Sequence, residues 1–337
     1  MRAFRTAILT AGLMVLSATA AAGPKVGPGY KIETFSMPGA AFAGLSRDGD
    51  MLLVTDLATG KLYRRHPDGK LTAFGPILPH GRDVIGDPTG PYRVDRVDGA
   101  YVVAQGWTPV DSKEAPYDHA LVAIDNNEAQ VINNDFWNPF DFIASGDVYY
   151  VVDAARNSIE RLKSDGTGKE TFYAFGRIDQ ASAGLQTLSP TEFSGEGTYK
   201  ADAVPTGIGL YRGRIYVSLF GGFPFAAGSG KVVSIAEDGE AKAPRVEVEG
   251  LNAPVDVAFD ENGRLLVLEH GVYDQAAGFM PGTGRLLSFD RVTGDRQVVL
   301  DSLTRPVSVL VWDEGQLIVS DLGGNLHILR REMEGRR

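Results

Sequence analysis

The chain has 337 residues, 33 Lys plus Arg against 43 Asp plus Glu, a net charge of −10 and no cysteine. An acidic balance without a basic cluster argues against nucleic acid and against an anionic membrane surface as partners. The lack of cysteine excludes disulfides, thiolate metal sites, a catalytic thiol and a lipid-modified N-terminal Cys.

Residues 1–22 read as a cleaved signal peptide. Arg2 and Arg5 form a positive start, Thr6 to Ala18 is mostly apolar, and Ala18-Thr19-Ala20 and Ala20-Ala21-Ala22 are small-x-small cleavage sites. The stretch is too short for a membrane span and no later segment is long enough, so no membrane insertion is expected. The sequence predicts a periplasmic or secreted protein. Without disulfides it relies on its core, which a chain of this size can bury.

Residues 23–337 read as a single domain built from repeats. Tyr30–Phe35 is a lone strand. Six copies of one unit follow: a small or Pro start, an apolar strand, a polar turn, a second apolar strand, a loop and a third strand. The clearest copy is Val204 to Ile235, with runs Gly207–Leu210, Ile215–Leu219 and Val232–Ile235. The tight turn Tyr211-Arg212-Gly213-Arg214 joins the first two runs, and a Gly- and Phe-rich loop joins the last two. The copies start at Ala41, Pro91, Pro139, Pro205, Pro254 and Pro306. The spacing is about 50 residues, the length of a four-stranded propeller blade. One longer interval holds an insertion, Gly176–Ala203. Fourth strands are predicted at Leu71–Phe74, Glu170–Phe175, Arg245–Val248 and Gln297–Leu300.

The fold class is therefore all-β: a six-bladed β-propeller of four-stranded blades. The sixth copy stops after its third strand, which leaves an exposed edge. Tyr30–Phe35 can supply the missing strand and close the ring with the N-terminal segment.

Val204-Pro205-Thr206-Gly207, Gly222-Phe223-Pro224-Phe225, Lys231-Val232-Val233-Ser234-Ile235 and Asp256-Val257-Ala258-Phe259 carry a resemblance. Asn138-Pro139-Phe140 and Val152-Asp153-Ala154 extend it. The chain resembles the ScyD/ScyE family of exported, NHL-like six-bladed propellers over about Ser36 to Leu329. The resemblance implies export, fold and blade number. It supplies no catalytic residues.

In a propeller, the loops between second and third strands return to the face where each blade begins. They are long in copies two, four and five: Gly106–His119, Phe220–Gly230 and His270–Gly284. They bring Trp107, Tyr117, His119, Phe223, Phe225, His270, Tyr273 and Phe279 to one rim. Each aromatic taken singly is as readily a packing residue. The central channel is expected to be lined by Ala43, Arg93, Asp141, Gly207, Asp256 and Ser308. The second strands end in Asp56, Gln105, Asp153, Leu219, Glu269 and Asp321.

Converging carboxylates can hold Ca²⁺ through oxygen ligands, with Asp141 and Asp256 nearest the channel. Arg93 opposes a cation there. Asp56, Asp153 and Asp321 are expected to bond their own turns or a neighbouring blade's backbone. Of the five histidines, only His119 and His270 lie on long loops and can act as acid or base. There is no H-E-x-x-H, no phosphate loop and no G-x-S-x-G elbow.

Two functions fit. One is a binding module that holds a small organic molecule at the rim, with Arg93, Gln105, His119 and Glu269 as its polar groups. The other is a metal-dependent, lactonase-like hydrolase or lyase with Ca²⁺ in the channel.

Overall fold

The computed structural model describes residues 23–83, 86–107, 117–125, 127–181, 193–194, 198–239, 243–313 and 315–332. The expected signal peptide lies outside them. Among the described residues there is no helix, and none is long and apolar enough to cross a membrane.

Six antiparallel sheets, five of four strands and one of five, form the blades of a six-bladed β-propeller. Their first strands are Phe42–Asp48, Pro91–Val97, Pro139–Ser145, Pro205–Tyr211, Pro254–Phe259 and Pro306–Asp313. Alternating side chains give each blade two apolar faces, and each face needs a neighbour. Six buried clusters result, one between each pair of adjacent blades. Leu53, Val94 and Val103 join blades 1 and 2, for example, and Phe42, Leu45, Ile318 and Ile328 join blades 6 and 1.

The ring closes as the sequence predicts. Tyr30–Ser36 pairs antiparallel with Asn325–Arg331 and becomes the outer strand of blade 6. Its alternation sends Ile32 to the cluster between blades 5 and 6, and Phe35 to the cluster between blades 6 and 1. One clasp was not foreseen. Lys25–Val26 adds a fifth strand to blade 5 against Leu300 and Asp301, so the N-terminal segment holds two blades at once.

The insertion also has structure. Ile178–Ala181 pairs with Thr198–Ala201. Gln180 Nε2 donates to Gly222 O at 3.2 Å and its Oε1 accepts from Ala226 N at 3.2 Å, which braces the Phe220–Gly230 loop.

Each first strand carries a β-bulge near the axis. The bulge shows that blade 1 starts at Phe42, which pairs with Asp56 as Pro91 pairs with Gln105. Its axial residue is therefore Gly44, not Ala43. The axial set is Gly44, Arg93, Asp141, Gly207, Asp256 and Ser308. Glycine is needed at 207, where a Cβ would lie 2.5 Å from the Cα of Asp256.

Candidate functional site

The bulges also turn one residue per blade toward the face that carries the long loops. Tyr92, Phe140, Thr206, Val255 and Val307 form the floor of a cavity of about 180 Å³ there. Tyr92 and Phe140 stack at 4.5 Å. Gly106 makes room for this, because a Cβ at that position would lie 2.2 Å from the Tyr92 ring.

The wall on one side is aromatic. Phe220 and Phe225 come from the blade 4 loop, and Phe279 from the blade 5 loop. That second loop contains a hairpin, with Tyr273–Asp274 paired to Gly278–Phe279, which sets Tyr273 opposite Phe279. Phe225 lies 5.4 Å from Phe279 and 5.0 Å from Tyr273. Phe223 covers the cluster from outside and is exposed.

His270 stands between Phe220 and Phe279 and is buried. Its Nδ1 donates to Pro306 O at 2.8 Å, which fixes the tautomer and leaves Nε2 with its lone pair. Arg305 Nε approaches that atom to 3.5 Å. Burial, reinforced by the Arg305 charge, lowers its pKa to about 3, so the ring is neutral at physiological pH.

Another part of the wall is acidic. It comes from the connector between blades 1 and 2, where Gly81–Arg82 pairs with Pro88–Thr89. Asp83 and Asp87 line the cavity. Asp83 Oδ1 accepts from Asp87 N at 2.8 Å, and Asp87 meets Arg305 at 2.5 Å. Burial raises the Asp87 pKa against the pull of Arg305, and Asp83 adds to the rise. The Tyr92 hydroxyl is held protonated by burial and by the charges of Asp83, Asp87 and Asp118.

Below the floor, the axis holds an ionic cluster. Arg93 Nε lies 3.5 Å from Asp141 Oδ1. Asp141 Oδ2 accepts from Ile208 N of blade 4 at 3.2 Å, and Asp256 Oδ2 accepts from Val309 N of blade 6 at 2.8 Å. Each carboxylate thus ties its blade to the next. Burial raises the Asp141 pKa to about 7, with Arg93 opposing and Asp256 adding to the rise; burial raises Asp256 as well.

A guanidinium beside two carboxylates already engaged with backbone N–H groups is not an oxygen cage for Ca²⁺. Among the described residues, no group of three or more His, Cys, Asp or Glu converges as a metal site.

The structure therefore gathers Phe225, His270 and Phe279 at the cavity, with Phe223 and Tyr273 packed behind them, and sends the other candidates elsewhere. Arg93 lies beneath the floor. Glu269 is buried, paired with Arg285 at 2.6 Å and bonded to Asn252 N at 2.8 Å. Gln105 is also buried and donates to Pro79 O. Tyr117 packs in the cluster between blades 1 and 2. His119 bonds Trp137 O at 2.7 Å, and Trp107 N bonds the Asn138 side chain at 3.3 Å. Asp56, Asp153 and Asp321 bond local backbone or turn residues, as expected. Sequence reading missed Asp83, Asp87, Tyr92 and Arg305.

No protein-family model matches the chain, and no curated relative matches it. Solved structures do. A gluconolactonase from Xanthomonas campestris superposes with a TM-score of 0.59 at 13% identity, over 91% of this chain and 94% of that one. A catalytically inactive virginiamycin B lyase from Staphylococcus aureus, in a structure with quinupristin, gives 0.53 at 10% identity over 89% and 99%. A chain of the nidogen/laminin complex gives 0.51 at 15% identity over 87% and 98%. The class defined is the six-bladed β-propeller, with lactonase-like proteins among its structural neighbours. These likenesses carry the fold alone.

Proposed function

We propose that the protein is an exported propeller of the ScyD/ScyE kind that binds a small organic molecule in the cavity above the channel. One observation carries this reading. Two long loops and a connector converge to wall a concave, mainly apolar space with a few placed polar groups, which is the form of a ligand site. The ring itself needs none of them, because blades 1, 3 and 6 join second and third strands by short turns.

A thermal-shift screen of small apolar and aromatic metabolites tests this on three proteins: wild type, a form with Phe220–Gly230 cut to four residues, and Leu322→Trp. Leu322 is half-buried on the cavity wall. Hits should stabilise wild type only, while all three melt cooperatively. Hits that stabilise all three equally refute the site.

The alternative is a hydrolase or lyase. Its support is Asp87, a carboxylate with raised pKa that lines the cavity and is placed to act as a base. Binding is favoured over it because the cavity's histidine is held at about 3, far from the working range of an acid–base group at neutral pH.

A further inference from the structure

We infer that the insertion between blades 3 and 4 belongs to the ligand site, and that Gln180 is its positioning residue, acting through Phe225. This rests on the reading of the cavity as a ligand site and names what holds the aromatic wall in shape.

The backbone gives the first sign. In every blade the residue after the second strand donates its N–H to the carbonyl just before the first strand. Leu57 bonds Ala41 in this way in blade 1, and Phe220 bonds Val204 in blade 4. Among the described residues, blade 4 alone carries this ladder further. Gly221 N donates to Ala203 O at 2.9 Å, and Gly222 N donates to Asp202 O at 2.7 Å. Both acceptors are the last residues of the insertion, so its returning arm holds the start of the Phe220–Gly230 loop.

The outgoing arm holds the middle of the same loop. Gln180 lies on the strand Ile178–Ala181 and is buried. Its amide spans the turn that presents Phe225, donating from Nε2 to Gly222 O and accepting at Oε1 from Ala226 N, both at 3.2 Å. Phe225 N closes that turn by donating to Gly222 O at 2.9 Å. Ile178, two residues before Gln180, anchors the arm in the cluster between blades 3 and 4.

Phe225 needs this support. Its φ is 55°, in the left-handed region, where a residue with a side chain persists only if its surroundings impose the conformation. Its ring is shared by the rest of the wall, at 5.7 Å from Phe220, 5.4 Å from Phe279 and 5.0 Å from Tyr273. A turn released from Gln180 relaxes and takes that ring with it. A ligand must then order the wall as it binds, and affinity falls by the cost of that ordering.

The test compares the full mature chain with Gln180→Leu, which keeps the bulk and removes both bonds. Hydrogen–deuterium exchange read on peptides needs no ligand. Phe220–Gly230 should exchange about tenfold faster in the variant, with the strands of blade 4 unchanged. A dry apolar cavity of about 150 Å³ accepts benzene, and the space here is about 180 Å³. The binding probe is therefore p-cresol, one ring with two short substituents, followed by calorimetry. Gln180→Leu should bind it about tenfold more weakly than wild type. In a Phe225→Ala background the same substitution should cost no further affinity, because Gln180 acts through that ring. Exchange at the wild-type rate in Gln180→Leu overturns the positioning role, whatever the cavity binds. Equal losses of affinity in the two backgrounds overturn the route through Phe225. Loss of the cooperative melt in Gln180→Leu makes the residue a brace for the fold and overturns its assignment to the site. If exchange changes as stated but p-cresol does not bind wild type, the cavity reading falls, and with it the claim that the insertion serves a ligand.

Discussion

His270 offers the sharpest check on the site's electrostatics. Its folded pKa is about 3, against 6.5 for an ordinary histidine. The unfolded chain therefore takes up a proton near pH 6.5 that the folded chain refuses, and stability falls as pH drops through that window. Between pH 7.5 and pH 5 the linkage relation gives a loss of about 2 kcal/mol from this one residue. His270→Gln removes the term, since glutamine does not titrate and can still donate to Pro306 O. The assay is a thermal melt of both proteins at the two pH values. Whatever their difference in melting temperature at pH 7.5, it should shift in favour of the variant by roughly 4 °C at pH 5. Identical pH dependence in the two proteins means that the imidazole accepts its proton while folded, and the dry wall described here is then wrong.

Asp141 supplies a term of opposite sign. Its folded pKa of about 7 exceeds the unfolded value, so this residue alone contributes about 2–3 kcal/mol of added stability as pH falls from 8 toward 5, which offsets the His270 term. Asp141→Asn should lose that contribution and fall in stability with acid more steeply than wild type, and a variant whose stability follows pH as wild type's does contradicts it. EDTA should leave the melting curve unchanged, because Arg93 occupies the axis; a drop that Ca²⁺ restores would show a bound ion. Deleting residues up to Ser36 opens the edges of blades 5 and 6 and removes Ile32 and Phe35 from two clusters. It should cause aggregation or a large fall in melting temperature, and an unchanged melt argues against the clasp. N-terminal sequencing of protein from the periplasm or medium should begin at Ala21 or Gly23; an intact Met1 in a membrane fraction contradicts export.

Most of the fold could be read from the residues because strand alternation and Gly/Asp turns are local signals repeated six times. Ring closure was legible too, since blade 6 lacked a strand and the lone strand Tyr30–Phe35 had no other place. The axial register of blade 1 slipped by one because that blade lacks the starting Pro of the other five, so the small residue Ala41 was taken as its start where Phe42 stands, and Ala43 was read in place of Gly44. The site was half legible. Phe225, His270 and Phe279 announced themselves as apolar or titratable residues on long loops. Asp83 and Asp87 did not, because the connector from Gly75 to Gly90 has no periodicity and its hairpin is only two residues per strand. Glu269 was misplaced at the rim. Its cross-strand partner is Arg285, a pairing that the predicted strands Leu265–Glu269 and Arg285–Phe289 already contained.

The claim that the top-face cavity is a ligand site is tested most directly by a crystal structure of the protein soaked with the best-binding compound. The account predicts density for one molecule above Tyr92 and Phe140, bounded by Phe225, His270 and Phe279, with its polar end toward Asp83 and Asp87. Density for the compound at any other place on the ring, with this cavity filled only by water, contradicts it.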